Sequence, residues 1–271
     1  MTETMVAHGG SRQGGGAGAL AVRDIVVTYG GLRAVDGVSM SFDAGVITAL
    51  IGPNGAGKSS LLKVIAGAQR PAKGAVVFHG DDITRQSADR RARSGLIWTF
   101  QMARVFARLS VLDNLLAAEP DQVGDHLFSA VFARKRWKRQ ERETRERALS
   151  LLSGFGLYEK ADTAAGLLSG GQRRIVEYLR AVMARPRVLL LDEPTVGLAP
   201  WVTEVLVDDL ARLCNDGVAV VLVAHEMELV ARVSRTVIAM ANGRVVAHGD
   251  FATVAANAQV KDAYLGNVGG A

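Results

Sequence analysis

The stretch ALIGPNGAGKSS (49–60) joins an apolar run to a glycine-rich loop, a lysine and two serines. It fits the spacing GxxxxGK[S/T] at Gly52, Gly57, Lys58 and Ser59. Glycines let backbone N–H groups curl round phosphate oxygens, and a helix opening behind them adds the partial positive charge of its N-terminus. In such a loop Lys58 reaches the β- and γ-phosphates of a nucleoside triphosphate, and the Ser59 hydroxyl binds Mg2+. The candidate phosphate cradle is therefore Gly52, Pro53, Asn54, Gly55, Ala56, Gly57, Lys58, Ser59 and Ser60.

A second stretch, RVLLLDEP (187–194), reads as a buried strand ending in two carboxylates. Paired charges are rarely placed at the end of an apolar strand without a use. Asp192 suits the Mg2+ shell, directly or through water, and Glu193 is positioned to polarise an attacking water. A third, LLSGGQRR (167–174), opens another glycine-rich helix N-terminus more than 100 residues after the first. One nucleotide needs a single phosphate cradle, so the surplus one implies a second molecule.

These residues need elements to hold them. From Leu20 the segments LAVRDIVVTYG, VSMSF, VITALIG and AVVFHG alternate with glycine and polar turns and predict strands. A helix is predicted from Lys58 to about Gly67, with Pro71 beyond it. Residues 102–165 read mainly as helix, including the charged RKRWKRQERETRERALSLL, where Glu141 precedes Arg145 and Glu143 precedes Arg147 at the spacing of helical ion pairs. After residue 185 short apolar strands alternate with helices in the order RVLLLD, helix, VAVVLVA, helix, RTVIAM, then RVVAHG, which indicates a parallel sheet covered on both faces.

Bulk properties bound the rest. With 271 residues and 49% apolar content the chain is globular. Residues 1–19 hold six glycines and few large apolar groups and are expected to be a disordered extension, with 267–271 a flexible tail. Apolar runs are too short for a membrane helix, and no secretory signal is evident, so a cytoplasmic location is expected. The lone cysteine, Cys214, excludes an internal disulfide and a multi-cysteine metal site. The net charge is +5, and eight basic against three acidic residues between Arg134 and Arg147 account for all of it. No broad basic face remains, so no nucleic-acid partner is expected.

The ordered set GPNGAGKSS, TFQ, LSGGQ, LLLDEP and AHE resembles the ATP-hydrolysing subunit of ABC transporters over about residues 20–266. The resemblance implies an α/β fold with a RecA-like P-loop core, an antiparallel β subdomain and an inserted helical signature subdomain at about 102–180. It also implies two cassettes packed head to tail, with Ser169, Gly170, Gly171 and Gln172 on the γ-phosphate of the partner's ATP. Gln101 is similar to the family's Q-loop glutamine, which touches Mg2+ or the lytic water. His225 resembles the switch histidine on the γ-phosphate, and Tyr29 the aromatic residue that stacks on adenine. One departure stands out: where the family shows GLDP, this chain reads GLAP, with Ala199 in place of the aspartate that links the two ATP sites.

Within the family, GGLRAVDGVSM, TFQMARVFARLSVLDNLL, the insertion through LFSAVFARKRW and the ending VVAHGDFATVAANAQVKDAYLG look like ATPases of branched-chain amino acid importers, whose relatives carry urea, amides or other small polar solutes. The implied partners are permease subunits, a second ATPase of the same or a different kind, and a solute-binding protein, at the cytoplasmic face of the membrane. A lipopolysaccharide-export ATPase is the competing resemblance, through its similar tail and LSVLDNL segment. The long basic insertion between Pro120 and Arg147 favours the importer. A soluble ABC ATPase acting on ribosomes or DNA usually has two cassettes or a long coiled coil, and a P-loop kinase or GTPase has no use for LSGGQ.

Overall fold

Buried strand residues divide between two hydrophobic clusters according to the two-residue period of a β-strand. The strands β1 (Leu20–Tyr29), β2 (Leu32–Phe42), β4 (Lys73–Phe78) and β5 (Asp81–Asp82) form an antiparallel sheet in the order β2-β1-β4-β5. A second sheet has the order β10-β9-β3-β8-β7-β6, from β3 (Ile47–Ile51), β6 (Leu96–Trp98), β7 (Val188–Asp192), β8 (Ala219–Val223), β9 (Thr236–Ala241) and β10 (Arg244–Gly249). The computed structural model describes residues 18–99, 104–120 and 134–265. The calls on the glycine-rich extension before Gly18, on Gln101, on most of the insertion at 121–133 and on the tail lie outside the described residues.

β3, β7 and β8 are buried along their whole length, as strands covered on both faces must be. Ala49 and Ile51, Leu189 and Leu191, and Val220 and Leu222 face one cluster, while Leu50, Val188, Leu190, Ala219 and Val221 face the other. The first cluster is completed by the helices α3 (Val111–Leu116), α4 (Arg134–Gly154), α5 (Gly170–Met183) and α6 (Pro200–Asn215). The second is completed by the antiparallel sheet and by α1 (Lys58–Ile65). The phosphate-loop helix thus lies between the two sheets.

Two sequence expectations are corrected here. RVVAHG does not extend the parallel sheet: β10 pairs antiparallel with β9, because Asn242 and Gly243, both at positive φ, turn the chain straight back. The pairing within α4 is also shifted. Glu143 bonds back to Arg139 and Glu146 to Arg142, while Arg147 turns inward to the buried Glu119, which also receives Arg185 at 2.5 Å. A buried carboxylate draws cations more strongly than an exposed helical neighbour can.

Arg91, on α2 (Ala88–Arg93), is 1% exposed. Its guanidinium donates to the carbonyls of Val64 and Ile65, in the last turn of α1, and to those of Ile83 and Thr84. Burial pushes its pKa down to about 10, which leaves it charged at neutral pH. A cation at the C-terminal end of α1 complements the helix dipole and anchors the far end of the phosphate-loop helix. The remaining helices α7 (Met227–Val233), α8 (Phe251–Ala256) and α9 (Ala258–Leu265) follow β8 and β10.

Candidate nucleotide site

The carboxyl ends of β3, β7 and β8 lie side by side, and each opens into a loop that carries predicted site residues. Crevices at strand carboxyl ends are where open α/β sheets bind ligands. The first loop runs from Gly52 to Gly57 at the start of α1. Gly52 and Gly57 have φ of 147° and 100°, and a Cβ at either would run into a carbonyl oxygen, of Met240 and Ala34 respectively. Glycine at both positions is therefore a steric demand of the protein's own packing. Gly55, at φ 81°, has open space where its Cβ would be, and Asn54 is exposed.

The start of α1 has no side-chain cap. Its first backbone N–H groups are thus left for an outside acceptor. Lys58 is buried, with Nζ donating to the carbonyls of Gly52 at 2.6 Å and Pro53 at 3.0 Å. Burial lowers its pKa, while the charges of Glu193 and Asp192 act the other way. An ammonium that turns onto loop carbonyls, beside uncapped N–H groups, is a donor set suited to phosphate oxygens. Ser59 is exposed and Ser60 partly so, both on the first turn of α1.

At the end of β7, Asp192 is 6% exposed, and burial, followed by the charge of Glu193, raises its pKa. The next residue, Glu193, has a left-handed backbone at φ 52°, an unusual conformation for a non-glycine residue. Its N–H donates to Val223 on β8 at 2.9 Å, and its Oε1 lies 2.7 Å from Nε2 of His225. The two adjoining strands thereby bring the predicted carboxylate and histidine together. Thr195 donates to Glu226, next to the histidine, at 3.2 Å. Two neighbouring acids, the buried Asp192 and Glu193, within electrostatic reach of Lys58, fit an oxygen-liganded divalent cation in the Mg2+ manner, with few protein ligands and phosphate oxygens completing the shell.

Tyr29 ends β1 and is 47% exposed, so its ring is free to be covered. Its hydroxyl donates to Gln69 at 2.6 Å and lies 3.4 Å from the Ser60 hydroxyl, which fixes the ring beside the loop. Gln69 was not among the residues singled out by sequence.

The signature residues lie at a different helix start. Ser169 caps α5, accepting from the N–H of Gln172 at 3.2 Å, and the Gln172 side chain accepts from the N–H of Ser169 at 3.1 Å. Gly170 has open space above it, and a Cβ at Gly171 would lie 2.7 Å from the Gly197 carbonyl oxygen. None of Ser169, Gly170, Gly171 and Gln172 hydrogen-bonds to a residue of the phosphate loop in any bond found among the described residues.

The same architecture recurs in known proteins. Residues 35–196 match the family model described as ABC transporter. The chain belongs to the ABC transporter family. The cassette is 35% identical, over 91% of its own length and 97% of the other, to the high-affinity branched-chain amino acid transport ATP-binding protein BraF of Pseudomonas aeruginosa. A solved ATP-binding cassette of an ABC transporter in its ADP conformation superimposes with a TM-score of 0.75 at 32% identity, covering 92% of this chain and 98% of that one. A dimeric bacterial ABC transporter cassette superimposes with a TM-score of 0.72 at 25% identity, covering 86% of this chain and 98% of that one. The expected ABC ATPase fold, with its mixed α/β layers, is the one found, and the cassette is an ATP-binding and ATP-hydrolysing protein.

Proposed function

We propose that the cassette powers the import of branched-chain amino acids, or of related small polar solutes such as amides and urea, as one of two ATPase subunits bound to a membrane permease. The observation that carries this reading is the end-to-end similarity to BraF, whose name assigns it to branched-chain amino acid transport. Among the described residues no helix is long and apolar enough to cross a membrane. In this reading separate permease subunits hold the cassette at the cytoplasmic face, and a solute-binding protein delivers the solute. A cavity of about 370 Å3 lined by Trp98, Val105, Phe106, Arg180 and Ala181 offers an apolar seat for a segment of the permease.

Two cassettes close head to tail on two ATP molecules. In each site Gly52 to Ser60 wrap the phosphates, Lys58 leaves its loop carbonyls for the β- and γ-phosphates, and Tyr29 stacks on adenine. Ser59 and Asp192, joined by Gln101, would hold Mg2+, which when bound would neutralise charge on the phosphates. Glu193 polarises the attacking water, and His225 keeps Glu193 aligned while facing the γ-phosphate. Ser169, Gly170, Gly171 and Gln172 of the second chain complete the site. A strand-end carboxylate pair of which Asp192 is buried, an uncapped helix start and a folded-back lysine support these roles.

The test is ATPase activity of the cassette assembled with its permease, measured with a solute-binding protein presented with leucine, isoleucine, valine, short amides or urea. Stimulation by one of these is expected. Stimulation by lipopolysaccharide alone would contradict the import reading.

A further inference from the structure

The helix that begins at the signature loop also reaches the catalytic strand of its own chain. Arg174, in the second turn of α5, donates from Nη1 to the backbone carbonyl of Glu193 at 2.5 Å. Glu193 has a left-handed backbone, a strained conformation for a residue with a side chain that persists only where surroundings over-determine it. Three contacts, from the end of β8 and its following loop and from α5, supply that determination. Val223 on β8 takes its N–H, His225 meets its side chain, and Arg174 takes its carbonyl. The signature helix is seated closely against the loop after the carboxylates, since Gly171 leaves no room for a Cβ beside Gly197.

We propose that Arg174 is a positioning residue for Glu193: by holding the peptide carbonyl it fixes the backbone turn that aims the carboxylate, and it ties that aim to the seat of the signature helix. The inference rests on the reading of Glu193 as the group that polarises water. Its consequence concerns communication between sites. In the head-to-tail assembly the first residues of α5 face the partner's nucleotide, while Arg174, two residues after Gln172, holds the carboxylate of the chain's own site. One rigid helix then joins two half-sites, in a chain where Ala199 offers no carboxylate for that purpose.

The test compares Arg174→Ala, Arg174→Lys and Glu193→Gln in the full-length chain, reading ATP affinity, kcat and KM, with and without millimolar guanidinium ion. Arg174→Ala is expected to bind ATP as the unaltered chain does and to lose kcat on the order of 10²-fold, the scale of a misplaced catalytic group. Guanidinium ion or the lysine variant should restore part of the rate, and guanidinium should do nothing for Glu193→Gln. Wild-type turnover in Arg174→Ala overturns the proposal. So does a joint loss of affinity and turnover that neither lysine nor guanidinium repairs, which marks a merely structural residue. If Glu193→Gln itself turns over normally, the reading of Glu193 fails instead.

Discussion

Helices α1 and α5 both start at glycine-rich loops, yet the two starts are finished in opposite ways. At α1 the N-cap is Gly57 in a left-handed conformation with no side-chain cap, and the nearby cation, Lys58, rests on the loop's own carbonyls. At α5 a capping box closes the first turn, with Ser169 and Gln172 satisfying each other's N–H groups. An uncapped helix start keeps unsatisfied donors that an anion can take, whereas a capping box uses two of them internally. The phosphate loop is thus incomplete without a ligand. The signature loop is already a finished structure, able to offer the Ser169 hydroxyl proton to an acceptor brought by another molecule. A third start, that of α6, is also without a side-chain cap, but it has no glycine loop or cation: Ala199 is its N-cap, and Pro200 follows.

Substitutions at these ends separate them, beginning with the largest effect. Lys58→Ala should weaken ATP binding by about 2–5 kcal/mol, the scale for removing one partner of a buried charge pair. Fluorescent-nucleotide titration of the single chain reads this directly, and unaltered affinity would dismiss the phosphate loop as the cradle. Ser169→Ala should leave the ATP affinity of the single chain intact, because in the proposed assembly its serine serves the other molecule's nucleotide. It should nevertheless lower folding stability by about 1 kcal/mol through the lost cap, read by urea unfolding. A fall in single-chain ATP affinity would erase the distinction between the two loops. Ala199→Asp should be the mildest, adding about 0.5–1 kcal/mol by supplying the missing cap to α6. It should also alter how the hydrolysis rate depends on ATP concentration, and an identical dependence would show that the missing carboxylate has no part in communication.

Much of the site was legible in sequence because its chemistry is local. The glycines, Lys58 and Ser59 sit within eight residues of one another, and the strand-end acids follow a run too apolar to be anything but buried. His225 was found by motif order, and the structure adds its reason: β7 and β8 are neighbours in register, which brings it to Glu193. What was not legible depends on contacts remote in sequence. Arg147 was matched to Glu143 by helical spacing, but Glu119, from 28 residues away, takes it. Gln69 holds the Tyr29 hydroxyl from 40 residues away. Arg174 stood in plain view beside LSGGQ, where an arginine on a helix usually signals solvent, and the packing of α5 against the end of β7 brings it to the Glu193 carbonyl. The antiparallel β10 hid for a different reason, since a short apolar strand carries no mark of its direction.

The central claim is that one nucleotide is held between the phosphate loop of one chain and the signature loop of another. Glu193→Gln tests it most directly, because removing the base should slow hydrolysis on the order of 10²- to 10⁴-fold and leave ATP in place. Sedimentation of that variant with and without MgATP measures the outcome. The account predicts a shift to a two-chain species that requires ATP and is lost when Ser169→Arg is added. A variant that stays a single chain when saturated with ATP would contradict it.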